Sequence, residues 1–127
     1  MGGSTAAPGV MIGWSSESRI FVAAGVTDLR KGFDGLSALV KSALSENPFG
    51  GALFIFRGRR GDKVKMIWYD GQGLCLFYKR LEEGTFVWPR ATSGAISLSQ
   101  AQLSMLLEGI DWRRPKKAWR PQPTIQR

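Results

Sequence analysis

The stretch between residues 52 and 70 constrains the fold of this chain more than any other. It begins with the continuous apolar run Ala52–Phe56, which is typical of a buried strand. The segment Gly58-Arg-Arg-Gly-Asp62 follows, and its Gly61-Asp62 pair tolerates the positive φ angles of a tight hairpin. The chain then returns through Lys63–Tyr69, where apolar residues alternate with lysines. This pattern predicts two antiparallel strands, at about 52–58 and 63–70, that are joined by a basic turn.

One helix is predicted before this hairpin and one after it. Apolar residues recur every three or four positions from Leu29 to Leu44, which predicts an amphipathic helix from about 28 to 46. Thr27-Asp28 is the expected N-cap, and Asn47-Pro48 is expected to end the helix. Ser99 and Gln102 have the spacing of a capping box, which predicts a second helix at about 100–109.

The remaining segments predict a single α+β domain. Further strands are expected at about 19–24, 74–80, 85–88 and 95–98, and the short connections between them favour an antiparallel meander over a parallel sheet. We therefore expect a largely antiparallel β-meander packed against one long amphipathic helix, with a second short C-terminal helix, over residues 18–112. Residues 1–17 are expected to be a disordered extension, and residues 113–127 a flexible basic tail.

The charge balance favours an anionic partner. The 127 residues carry 18 Lys and Arg against 10 Asp and Glu, a formal net charge of +8. Five of these cations crowd the predicted hairpin, where Arg and Lys side chains could hold phosphates. The candidate nucleic-acid-binding residues are Arg57, Arg59, Arg60, Lys63 and Lys65 of the hairpin, with Lys79, Arg80, Arg30 and Lys31 outside it.

Residues suited to catalysis are scarce. The chain has no histidine, which excludes Ser-His-Asp triads and His metal ligands within one chain, and its single cysteine, Cys75, is expected to be a buried thiol. A metal-dependent nuclease using Asp28, Asp34 or Asp70 is a hypothesis, but their spacing gives no convergent pair. We therefore predict a protein with no catalytic residue, no metal and no cofactor.

No membrane association is expected either. No apolar run approaches the ~18 residues that a membrane span needs, and the first residues lack the pattern of a signal peptide. A cytoplasmic location is the expectation that follows.

Several motifs, in order, resemble one family. These are Thr27-Asp-Leu-Arg-Lys-Gly-Phe-Asp-Gly-Leu36, Phe56-Arg-Gly-Arg-Arg-Gly-Asp-Lys-Val-Lys65, Trp68-Tyr-Asp-Gly-Gln-Gly73, Leu76-Phe-Tyr-Lys-Arg-Leu-Glu82, Phe86-Val-Trp-Pro89 and Gln102-Leu-Ser-Met-Leu-Leu-Glu-Gly-Ile-Asp-Trp112. Together they resemble the small accessory protein of insertion sequence 66 type elements, which is encoded by the second open reading frame and often called TnpB. The resemblance implies participation in DNA transposition beside a separate, larger transposase, without catalysis by this protein.

Two functional hypotheses of different classes follow. The first is a non-catalytic accessory factor that binds DNA through the basic hairpin, assembles with the transposase, or does both. The second is a protein-interaction subunit of the transposase complex that makes no direct contact with DNA.

Overall fold

The computed structural model describes residues 18–91 and 93–113. The predicted N-terminal extension, residues 1–17, lies outside them, as does the predicted tail beyond Arg113. The elements along the described chain are β1 (Ile20–Val26), α1 (Phe33–Leu44), β2 (Leu53–Arg57), β3 (Lys63–Tyr69), β4 (Leu74–Arg80), β5 (Ala95–Ser97) and α2 (Gln100–Leu107). The class is α+β, with one five-stranded mixed sheet and two helices.

The sheet has the strand order β4-β3-β2-β1-β5. Strands β2, β3 and β4 pair antiparallel through short turns, and β5 pairs antiparallel with β1. Strands β1 and β2 are parallel, because the chain between them crosses over through α1. The predicted largely antiparallel meander therefore does not describe the whole sheet, which is mixed because β1 and β2 pair parallel.

Both faces of the sheet are covered, and this explains why β2 is a continuous apolar run. Leu53 and Ile55 belong to one core cluster, which α2 covers with Leu103 and Leu106. Phe54 and Phe56 point to the other face, where α1 contributes Leu36 and Val40. Since successive strand residues face opposite sides of the sheet, both of which are covered, every residue of β2 before Arg57 is buried and apolar.

Helix α1 is shorter than the sequence indicated. It begins at Phe33 rather than at 28, and the N-cap position is Gly32, without a side-chain cap. Asp28 instead accepts hydrogen bonds from the backbone N–H of Arg30, which stabilises a turn before the helix. The helix ends at Leu44, where Ser45 takes a left-handed conformation with φ 55°. The predicted cap at Thr27-Asp28 was wrong because the Asp28 side chain serves a local turn.

The second helix follows its sequence signal more closely. Ser99 accepts a hydrogen bond from the backbone N–H of Gln102, and the Gln102 side chain accepts one from the backbone N–H of Ser99. The predicted capping box is thus confirmed.

Residues 85–88 are not a strand, contrary to prediction. Phe86 and Trp88 are buried there beneath the sheet, and both contact the carbonyl oxygen of Gly61 through hydrogen bonds. The alternation of apolar residues reflects packing against the hairpin and not strand pairing.

Neither helix in the described part of the chain has the length and apolar character that a membrane-spanning helix requires.

Candidate nucleic-acid interface

Residues 58–63, the turn between β2 and β3 together with the first residue of β3, are held by several backbone hydrogen bonds; we call them the hairpin tip. Gly58 and Lys63 close the turn through a hydrogen bond of 3.2 Å from the Gly58 N–H to the Lys63 carbonyl oxygen. Gly61 has φ +81°, as the Gly-Asp pair predicted. Its carbonyl oxygen accepts hydrogen bonds from the Phe86 N–H at 2.9 Å and from Trp88 Nε1 at 3.0 Å. The tip is therefore fixed against the 81–88 segment.

Three cations project from this fixed turn. Arg59 and Arg60 are exposed and Lys63 is half-buried. Within the described part of the chain, none of the three side chains forms a salt bridge or a hydrogen bond. Their charges are consequently available to a ligand.

A groove of about 980 Å³ lies between the hairpin tip and the loop that precedes α1. We call it the tip groove. It brings together five of the nine predicted binding residues, Arg30, Arg59, Arg60, Lys63 and Lys65, with the acids Asp28 and Asp62. The groove is thus lined by cations from two separate segments of the sequence.

Arg30 reaches the tip groove as half of an ion pair. Its Nη2 lies 2.7 Å from Asp28 Oδ2, and its Nε also donates to that carboxylate. These hydrogen bonds from Arg30 hold the pKa of the Asp28 carboxyl well below its usual range, so this acid stays ionised. The Arg30 guanidinium is 91% exposed and keeps donors that face solvent.

Lys65 has a structural role that the sequence did not reveal. It is only 7% exposed, and its Nζ donates to the Lys31 carbonyl oxygen at 2.9 Å. The ammonium also lies 4.6 Å from the centre of the Tyr78 ring, within the range of a cation–π contact. Lys65 therefore ties β3 to the start of α1, and little of it is accessible to a phosphate.

Three other predicted residues lie away from the tip groove. Lys79 pairs with Val64 in the sheet, and its Nζ donates to the Leu107 carbonyl oxygen at the end of α2, 2.7 Å away. Arg80 is exposed and forms a salt bridge with Glu82. Lys31 is exposed and lines a different pocket, on the α1 side. The structure does not bring these three together with the tip.

A second concave site adjoins the tip on its other side and has a volume of about 620 Å³. We call it the arginine pocket. Arg57 and Arg60 line it, and they are joined by Arg90, Arg113 and Trp88. The Arg57 guanidinium stacks over Trp88 at 5.7 Å from the ring centre. None of the described residues that line this pocket is acidic.

Sequence reasoning did not assign Arg90 and Arg113 to a site. Arg113 was placed in the predicted tail, whereas its guanidinium donates to both oxygens of Asp111 at 3.1 and 3.2 Å. This contact raises the pKa of Arg113, so its charge is retained. Arg90 follows directly after Pro89, and no pattern in the sequence relates it to residue 57 or 60.

The acids and the thiol considered for catalysis have local structural contacts. Asp70 accepts hydrogen bonds from the N–H groups of Gly73 and Gln72, and these lower its pKa. Burial, and then the Asp70 carboxylate 3.5 Å away, raise the pKa of the Cys75 thiol. In the described residues, no group of three or more Asp, Glu or Cys side chains is placed to hold a metal ion.

Comparisons with known proteins locate the chain in one family. The family model described as IS66 Orf2-like protein matches residues 18–117. A protein of Sinorhizobium fredii named uncharacterized protein y4hO is 57% identical over 103 residues, which cover 81% of this chain and 90% of that protein. A second protein of the same organism, uncharacterized protein y4jC, is 43% identical over 114 residues, which cover 90% of this chain and 97% of that protein. No solved structure gives a significant match.

The matched region includes every helix and strand described above. It also contains both the tip groove and the arginine pocket. The chain therefore belongs to the IS66 Orf2-like family, and this membership supports an accessory role in the transposition of an insertion sequence.

Proposed function

We propose that this protein is a non-catalytic accessory factor of transposition that binds the phosphate backbone of DNA through the tip groove. The observation that carries the proposal is the set of three cations, Arg59, Arg60 and Lys63, on a turn with fixed backbone geometry. Arg30 adds a fourth cation from the facing loop. Lys65 and Lys79 serve as structural residues in this proposal, since each ammonium is already bonded to a backbone carbonyl.

The electrostatics of the tip favour a polyanion over a small acid. Surface cations that lack a carboxylate partner keep their full field, and counterions released from DNA on binding contribute most of the affinity of such contacts. Arg side chains on opposite walls of a groove can engage successive phosphates of one strand. Such contacts set position and affinity but carry no base sequence information.

The salt dependence of binding tests this proposal. Fluorescence anisotropy with a labelled duplex, measured from about 50 to 200 mM salt, should give a log–log slope of roughly −0.9 for each phosphate contacted. We expect Arg59→Ala to reduce the magnitude of that slope by about 1 and to weaken binding to all sequences equally.

Arg19→Ala provides the matched control. Arg19 is also an exposed arginine, but it precedes β1 beside Leu53, at the end of the sheet opposite the tip, and it pairs with Glu46. Its removal should leave the slope unchanged. Equal binding by Arg59→Ala and wild type, or absence of binding by wild type at low salt, would contradict the proposal.

The second candidate function is docking on the transposase without contact with DNA. The feature that favours it is β4, a seven-residue edge strand whose outer side has no strand partner in the described part of the chain. Such an edge can accept a strand from another protein. Three results together would favour this function over the first. The wild-type protein would bind no DNA, it would capture the transposase even at high salt, and Arg59→Ala would capture it equally well.

A further inference from the structure

The arginine pocket presents more positive charge than one internal DNA phosphate requires. Four arginines line it, Arg57, Arg60, Arg90 and Arg113, and the arginine side chain is a cation with up to five hydrogen-bond donors. The only described carboxylate that contacts one of them is Asp111, which engages Nε and Nη2 of Arg113. An internal phosphodiester carries one negative charge, whereas a phosphate monoester carries about 1.5 to 2 at pH 7.

Local contacts of the fold position the arginines of this pocket. Arg57 is held over the Trp88 ring, and Trp88 is itself fixed by its hydrogen bond to the Gly61 carbonyl oxygen. Arg60 is part of the hairpin tip, and Arg113 is held by its hydrogen bonds to Asp111. Several cations that line one cavity with few carboxylate partners favour a multiply charged anion, because arginine forms strong charge-assisted hydrogen bonds with phosphate.

The size of the pocket further limits the class of ligand that it fits. A volume of about 620 Å³ lies within the range of small-molecule sites and is ample for a nucleotide, more than inorganic phosphate needs. Arg60 lines both this pocket and the tip groove, so one bound strand could contact both. Trp88 is only 8% exposed and Arg57 lies over its ring, which favours the arginines over base stacking as the main contacts.

From these observations we infer that the arginine pocket binds the terminal phosphate monoester of a DNA strand. The inference rests on the DNA binding proposed above and adds recognition of a strand end to it. The tip groove would hold internal phosphates next to that end. A free mononucleotide carries the same phosphate chemistry and is the competing source of the ligand.

Competition anisotropy on the full chain tests the inference. A labelled duplex bound to the protein is displaced by unlabelled duplexes of one sequence that carry a 5′-phosphate, a 3′-phosphate or only hydroxyl ends. We expect one phosphorylated end to compete about tenfold or more better than the hydroxyl ends, since charge-assisted hydrogen bonds to phosphate are strong. Equal competition by all three would overturn the inference while leaving the proposed function intact. Absence of binding by every duplex would contradict both.

Two arginine variants separate the pocket from the groove. Arg90→Ala should abolish the preference for the phosphorylated end and keep the affinity for hydroxyl ends, because Arg90 is exposed and lines only the pocket. Arg59→Ala should weaken all duplexes equally and keep the preference. A preference that survives in Arg90→Ala would contradict the assignment. Competition by deoxyadenosine monophosphate at the same concentration as the phosphorylated duplex would assign the pocket to free nucleotides and would also overturn it.

Discussion

Replacing the two lysines of β3 with methionine should separate stability from DNA binding. Lys63 and Lys65 lie two positions apart on one face of the strand, but their surroundings differ. Lys65 is buried and bonded to the Lys31 carbonyl oxygen, whereas Lys63 is half-exposed beside the tip groove. Methionine keeps the apolar stem and approximate volume of lysine and removes only the charge and its donors.

The expected loss for Lys65→Met can be worked out from these contacts. A hydrogen bond from a charged donor contributes about 1.5–3 kcal/mol to the free energy of unfolding, and the cation–π contact with Tyr78 adds to it. Removing a buried ammonium relieves its desolvation, which offsets part of that loss. We therefore expect a net decrease of about 1–2 kcal/mol, or roughly 10 °C in Tm for a domain of this size.

Lys63→Met should show the opposite behaviour. Its side chain has no hydrogen bond or ion pair in the described part of the chain, so the free energy of unfolding should change by less than about 0.5 kcal/mol. The salt slope for DNA binding should decrease in magnitude by about 1. Thermal unfolding by circular dichroism and anisotropy at graded salt measure the two effects. Unchanged Tm in Lys65→Met, with a salt slope reduced as much as in Lys63→Met, would refute the reasoning.

Three further experiments test local features of the fold and its thiol. Gly61→Ala should lower the free energy of unfolding by about 1 kcal/mol because φ is +81° there, while Gly73→Ala, a glycine without positive φ, should change it little in urea unfolding. Ser99→Ala should lose about 1 kcal/mol through the capping box, whereas Ser104→Ala, exposed within α2, should be nearly neutral. The pH midpoint for alkylation of Cys75 should lie above that of a free thiol, because burial and the Asp70 charge disfavour the thiolate; Asp70→Asn should shift the midpoint down, and an upward shift would be contrary to this cause.

Local chemistry explains which parts of the fold the sequence predicted. The hairpin turn depends on Gly61 and the second helix depends on Ser99 and Gln102, and both signals act through residues close in the chain. The parallel pairing of β1 and β2 depends instead on where α1 carries the chain, which no local spacing records. The 85–88 segment was misassigned for the same reason, since its alternation arises from packing against a distant glycine carbonyl.

The sequence predicted the charge of the candidate site, but it did not predict the tertiary contacts of the charged side chains. Arg59, Arg60 and Lys63 were identified from the density of cations in one turn, and the structure places all three beside one groove. Lys65 belongs to the same run of sequence, but strand pairing and the loop before α1 cover it. Arg90 and Arg113 join the site through tertiary packing, and so they could not be recognised from neighbouring residues.

In the proposed function, the fixed backbone of the hairpin tip would strengthen binding beyond what its charge supplies. A flexible loop of the same composition would lose about 1–2 kcal/mol of backbone entropy for each residue ordered on binding. Here the Gly61 carbonyl is held from two directions and the Asp62 carbonyl accepts from the Leu81 N–H, so that ordering is completed on folding. In the proposed binding mode, Arg59 and Arg60 would then lose only side-chain freedom when a phosphate binds. In the proposed function, the buried Trp88 would therefore contribute mainly by fixing the tip through its indole N–H.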